Sequence, residues 1–152
     1  MAIYTVKLNP TPTQQEILWY NRKLFLEAVH SLIPVYQENP RAKGYQHIKQ
    51  LLLPGAVKNA AVSAAYKAAQ SGPDFLDEMV ISYNKGHYRF TAQGKLSLPI
   101  RMEGSYSTQR MKISCDINDV EKLSGDWGYM RIINDESDWR ADIRVMEGKS
   151  HG

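Results

Sequence analysis

Sulfur chemistry is nearly absent from this sequence: one cysteine, Cys115, stands among 152 residues. A single thiol excludes an internal disulfide and any zinc site built from cysteine pairs. No apolar run approaches the roughly 20 residues that a membrane-spanning helix needs. The opening MAIYTVKLNP lacks the basic-then-apolar pattern of a secretory leader. The expectation is a cytoplasmic chain with no membrane partner. The GxSxG nucleophile turn, the phosphate-binding glycine loop and the HExxH zinc helix are all missing. His30, His47 and His87 lack metal-ligand spacing, so no metal and no cofactor is expected. A Cys–His nucleophile pair on Cys115 has no local motif to support it.

A strong excess of one charge is missing too, since the formal net charge is only +3. Its distribution says more than its total. Residues 1–100 carry 11 Lys+Arg against 6 Asp+Glu, and residues 101–152 carry 8 against 10. The basic bias thus sits in the first two thirds, where it fits either a nucleic-acid partner or an ordinary solvated surface. Hydrophobic residues make up 43% and charged residues 23%, enough for one globular core.

Along the chain, Ile3 to Leu8 alternates apolar and polar residues and reads as a half-buried strand ended by Asn9-Pro10. In Thr11-Pro12-Thr13-Gln14, Thr11 suits the N-cap, Pro12 the first helical position and Gln14 the third, a capping box. Ile17, Tyr20, Leu24, Val29, Leu32 and Tyr36 then recur at near-helical spacing, predicting a helix over 12–36 that Pro34 kinks or ends. A short helix is expected over 45–53, stopped by Pro54-Gly55. The alanine-rich AVKNAAVSAAYKAAQ predicts a slim helix over 56–70, stopped by Ser71-Gly72-Pro73. Strands are expected at 79–83, 88–90, 96–102, 111–117, 128–133 and 139–145, separated by Gly- and Asn-containing turns. Cys115, Trp127, Tyr129 and Trp139 are read as core, and EGKSHG as a frayed end.

Four phrases carry a resemblance. KLNPTPTQQEIL runs from a strand through a capped turn into a helix. LPGAVKNAAVSAAYKAAQ starts near Leu-Pro and contains Ala-Tyr-Lys. SYNKGHYRFTAQGKLSLPI pairs an aromatic-polar strand with a Lys-Leu-x-Leu-Pro strand across a Gly turn. SDWRADIRVM is a closing strand. Their order, over most of residues 3–146, resembles the N-terminal half of TnpB/OrfB-type transposon RNA-guided nucleases and related miniature type V CRISPR effectors.

The resemblance implies an α+β fold: a wedge-type, oligonucleotide-binding-like β-barrel with a helical insertion after its first strand. The first barrel strand would span residues 1–10, the recognition-lobe insertion 11–74, the rest of the barrel 75–147, and a disordered tail 148–152. It also implies binding of a guide RNA scaffold and of duplex DNA beside the target. In the family, cutting belongs to a downstream catalytic RNase H-like domain that does not fit in this chain, so no enzyme activity is expected here; a separate catalytic chain is a candidate partner beside a catalytic domain further along the parent protein.

The DNA-facing candidates are Tyr45, Gln46, Lys49, Lys58, Asn59, Tyr83, Asn84 and Lys85. Asn pairs well with adenine, Lys with phosphate, and a helix start favours anions. The RNA-facing candidates are Arg22, Lys23, His87, Arg89 and Lys95, cations near aromatic residues suited to backbone contact and stacking. Each has a structural alternative: a solvated helix face for 45–49, a plain hairpin turn for 84–86, and ordinary surface charge for the cations. A reading from another class is a protein-interaction or inhibitory module that docks on a larger nucleoprotein effector. The modest net charge and the acidic last third motivate it.

Overall fold

A computed structural model describes residues 2–116 and 127–145. Strand β1 (Ala2–Asn9) buries Val6 and Leu8 and exposes Ile3, Thr5 and Lys7, the pattern of a strand with one covered face. Thr11 then caps helix α1 (Pro12–Glu38). Its hydroxyl accepts from the Gln14 N–H at 3.1 Å, and Gln14 Oε1 accepts from the Thr11 N–H at 3.0 Å. These reciprocal bonds engage N–H groups that a helix start otherwise leaves without partners. Gln14 Nε2 also donates to the Lys112 carbonyl at 2.7 Å, fixing the helix start against the sheet. Pro34 does not end α1, which continues to Glu38. Pro34 is solvent-exposed, so its ring meets no packed neighbour on that side.

Helix α2 (Gly44–Ile48) is shorter than the 45–53 expected, because Leu51 N–H bonds the Ile48 carbonyl and Leu53 N–H bonds that of Leu51 in successive tight turns. Gly44 is buried, donates its N–H to Tyr36 Oη at 3.2 Å, and leaves room for no side chain. A Cβ there would stand 2.8 Å from Tyr36 Cζ. Helix α3 (Gly55–Ser71) packs along α1 through buried Ala60, Ala61, Ala64, Ala65 and Ala68, whose small side chains permit close approach. The Tyr36 and Tyr66 rings meet edge to face at 5.6 Å. Gly72, at φ 96°, turns the chain out of the helix.

After a 3₁₀ turn (Asp74–Glu78) come β2 (Ile81–Tyr83), β3 (Arg89–Phe90), β4 (Lys95–Arg101), β5 (Thr108–Cys115), β6 (Trp127–Asp135) and β7 (Asp138–Val145). They join β1 in one antiparallel sheet of order β2-β6-β7-β1-β5-β4-β3. The first strand therefore lies in the middle of the later ones, and all three helices enter the chain between it and β2. Leu8, Tyr83, Leu98, Ile113, Met130 and Ile143 share the buried core with Phe25 and Leu32 of α1. The chain is thus α+β. Ile117 of the expected fifth strand and the expected tail at 148–152 lie outside the described residues. No helix among the described residues is long and apolar enough to cross a membrane.

The sheet curls until its ends are joined by side chains. Among the described residues no ladder links β2 to β3, so the sheet stays open there. Because β3 and Thr91 cover only Lys95, Leu96 and Ser97, the Pro99–Arg101 end of β4 has no strand beside it on that edge, and a bare edge exposes unpaired backbone groups. Pro99 on that edge has no N–H to satisfy, and its carbonyl accepts from Tyr83 Oη of β2 at 2.9 Å. Two residues on, buried Asn21 of α1 takes both backbone groups of Arg101. Oδ1 accepts from its N–H at 2.9 Å, and Nδ2 donates to its carbonyl at 2.9 Å. Tyr88 Oη donates to the Gly128 carbonyl of β6 at 2.8 Å, and its ring stacks on Trp127.

Candidate nucleic-acid interface

Strands β3, β4 and β5 contain five Lys or Arg residues and no Asp or Glu. Strand register decides where they point. Ser97 pairs with Arg89 on one side and Lys112 on the other, Pro99 pairs with Arg110, and Lys95 pairs with Ser114. Cross-strand partners share a face, so Arg89, Lys95, Arg110 and Lys112 all stand on the outer face, each exposed. Arg110 is anchored there. Its Nε donates to Ser97 Oγ at 3.1 Å and its Nη2 to the Ser97 carbonyl at 3.0 Å. His87 lies beside this array in the β2–β3 turn, half-buried. The structure thus brings together His87, Arg89 and Lys95 and adds Arg110 and Lys112, which the sequence reading missed. The available signal was the alternation of Arg110 and Lys112 with Met111 and Ile113. Its value depended on knowing which strand lay opposite.

Of the remaining RNA candidates, Lys23 is exposed on α1, while Arg22 is half-buried. Arg22 Nε donates to the Met79 carbonyl at 3.2 Å, and its guanidinium lies 5.9 Å from the Trp19 ring centroid. Arg22 therefore serves first to hold α1 to the segment that leads into β2.

The DNA candidates divide into an exposed or half-buried group and a buried pair. Asn59 and Asn84 are drawn together through Ser63. Asn84 Nδ2 reaches Ser63 Oγ at 3.4 Å, and Ser63 Oγ donates to the Asn59 carbonyl at 3.2 Å. Lys85 is exposed beside Asn84, and Gln46 and Lys49 are exposed at the end of α2. Tyr45 is half-buried, its hydroxyl 4.0 Å from where a Cβ on Gly55 would stand at the start of α3. Tyr83 does not belong to this surface. It is fully buried, its hydroxyl is engaged by Pro99, and burial pushes its pKa far up. An aromatic ring of that size in a three-residue strand buried along its whole length goes to the core, not to solvent. Lys58 is likewise no surface cation. It is 8% exposed and its ammonium donates to the Lys49 carbonyl. Burial first, and the Arg101 charge second, lower its pKa.

A second cationic surface, also missed from sequence, covers the outer side of β1, β6 and β7. Lys67, Arg131 and Arg144 line a cavity of about 140 Å³ with Ile3, Tyr129 and Asp142. Asp142 partly neutralises it. It accepts from Thr5 Oγ1 at 2.8 Å and pairs with Arg140 at 3.3 Å and Arg131 at 3.9 Å. Tyr129, expected in the core, stands half-buried at this surface, and its hydroxyl contacts Met79 Sδ at 3.6 Å. Trp139 and Cys115 are in the core. Comparisons of the chain with protein-family models, with curated proteins and with solved structures returned no significant match.

Proposed function

We propose that this chain is a nucleic-acid-binding module whose β3–β5 outer face holds RNA phosphates. One observation carries the reading: four exposed cations are fixed on adjacent strands with no carboxylate in any of those strands. Like charges so arranged repel one another, and a polyanion turns that repulsion into affinity by releasing its counterions. The second surface, formed by Asn59, Asn84, Lys85, Gln46 and Lys49, offers amides and cations suited to the edge and backbone of a duplex.

The resemblance in the sequence gives this pair of surfaces a context. The curled sheet acts as a wedge-type, oligonucleotide-binding-like barrel sealed by side chains, and the helices act as the recognition lobe. Together they hold a guide RNA scaffold and the DNA beside the target. The helices that lie between β1 and the later strands support this reading.

The test is titration of the purified chain with labelled structured RNA and duplex DNA over a salt series. If each of the four cations neutralises one phosphate, log Kd should vary with log salt at a slope of about 3 to 4. Affinity should then fall on the order of 10²-fold between about 50 and 200 mM salt. Binding that ignores salt, or no binding, refutes the reading. Recovery of the chain with a protein partner and no RNA would favour a docking module instead.

A further inference from the structure

The outer face of the sheet does not end at β5. Ser114 of β5 pairs with Asn9 of β1, while Lys7 and Ile3 of β1 pair with Arg140 and Arg144 of β7. Cross-strand partners share a face and alternate residues return to it. Lys112, Lys7, Arg140 and Arg144 therefore continue the array that begins with Arg89. The face runs on to Arg131 of β6, the partner of Asp142. It stops there, because Ser82, opposite Arg131 on β2, is fully buried. The cavity of about 140 Å³ lies at this stop, lined by Arg131 and Arg144 from the sheet and by Lys67 from α3. Lys67 is held in place, its ammonium 4.4 Å from the Phe75 ring centroid, within cation–π reach. Asp142 also lines the cavity, with its oxygens engaged by Thr5, Arg140 and Arg131. Among the described residues of the lining, three cations against one carboxylate leave two positive charges. Neither Lys67 nor Arg144 has an acidic partner among the described residues.

We propose that this cavity receives the terminal phosphate of an RNA strand lying across the outer face. Size, charge and position each select a chain end. A cavity of about 150 Å³ admits one benzene molecule, so this one takes a phosphate group but not the nucleotide that carries it. A terminal phosphate loses its second proton near pH 6, so it carries close to two charges at about pH 7. That matches the two uncompensated charges of the lining, whereas a phosphate inside the strand carries one. Position adds that the face is closed beyond Arg131, where an internal phosphate would need its chain to continue. The two guanidinium groups offer planar forks to phosphate oxygens, and the Lys67 ammonium adds a point charge. Exposed Ile3, also in the lining, gives the attached sugar an apolar rest. The strand as the source of the phosphate rests on the function proposed above. The cavity's affinity for a doubly charged phosphate does not.

The first experiment melts the full chain in inorganic phosphate and in sodium chloride at equal pH and ionic strength. Phosphate at tenfold over its Kd should raise Tm by about 3–6 °C. Lys67→Gln with Arg144→Gln should abolish that rise, and because both side chains are exposed the variant should fold. Arg110→Gln with Lys112→Gln, which removes cations outside the cavity, should keep it. No phosphate-specific rise in the wild type, a full rise in the cavity variant, or an equal loss in both variants overturns the cavity as a phosphate site. The second experiment titrates the chain with one structured RNA that ends in a 5′ phosphate, in a 3′ phosphate or in hydroxyls at both ends. A phosphate at one end should tighten binding about tenfold, the worth of a charge-assisted contact, and the cavity variant should erase that difference. Equal affinity for all three RNAs overturns the strand end as the source and leaves RNA binding itself standing. A wild type that binds no RNA refutes the proposed function instead, while the melting shift still decides whether the cavity takes phosphate.

Discussion

Replacing Asn21 with alanine tests how the curled sheet is held. The Asn21 side chain is fully buried and makes three hydrogen bonds: two to Arg101 and one from Nδ2 to the Ile17 carbonyl of its own helix at 2.8 Å. The bond to Ile17 orients the amide. The two to Arg101 fasten α1 to the end of β4. Asn21→Ala removes both and leaves a buried N–H and a buried carbonyl without partners. Each such group costs about 1–3 kcal/mol, so the loss should be about 2–6 kcal/mol in urea unfolding, or a fall in Tm on the order of 10 °C. Asn21→Asp still accepts from the Arg101 N–H but sets its other carboxylate oxygen against the Arg101 and Ile17 carbonyls in a buried place, so it should cost at least as much as Asn21→Ala. The midpoint should move while the urea slope stays the same, because the area exposed on unfolding hardly changes. A loss below about 1 kcal/mol for Asn21→Ala would refute the reasoning. It would mean that water or a shifted helix satisfies the β4 edge and that Asn21 does not seal it.

The other predictions concern the interface and the core. Arg110→Glu with Lys112→Glu should lower the salt slope of RNA binding by about 2, which titration at four salt concentrations would resolve. Tyr83→Phe should cost about 1–2 kcal/mol by leaving the Pro99 carbonyl unpaired and should leave duplex affinity unchanged. A loss of affinity with no loss of stability would return Tyr83 to the binding surface. Gly44→Ala should cost about 1–3 kcal/mol, measured by thermal melting, since the new methyl group collides with the Tyr36 ring. Burial raises the pKa of both Tyr83 and Tyr88 in the folded chain. The stability they contribute is therefore complete below the unfolded tyrosine value of about 10 and declines as pH rises above it. Urea midpoints across that range, with tyrosinate absorbance in parallel, should show the decline, and Tyr83→Phe should reduce it.

The parts of the structure that were legible in the sequence are those governed by neighbours in the chain. The Thr11 capping box, the alanine helix and its Ser71-Gly72-Pro73 stop, and the alternation through Trp139–Val145 each follow from bonds or packing within a few residues. The short end of α2 and the passage of α1 through Pro34 were not legible, because local turns and solvent exposure decided them. Charge counting along the chain pointed to the first two thirds. The strongest cationic array instead draws Arg110 and Lys112 from the last third and sets them beside Arg89 and Lys95.

By itself, then, the sequence determined that there would be a leading strand, a helical stretch and a run of later strands, since caps, helix formers and alternation act locally. Only the tertiary structure decided that β1 lies between β5 and β7, that Tyr83 points inwards to seal β4, and that Lys58 and Arg101 both withdraw from solvent. The physical reason is register. Which face a strand residue occupies depends on partners far away in the chain, and a shift of one residue exchanges the buried and exposed sets.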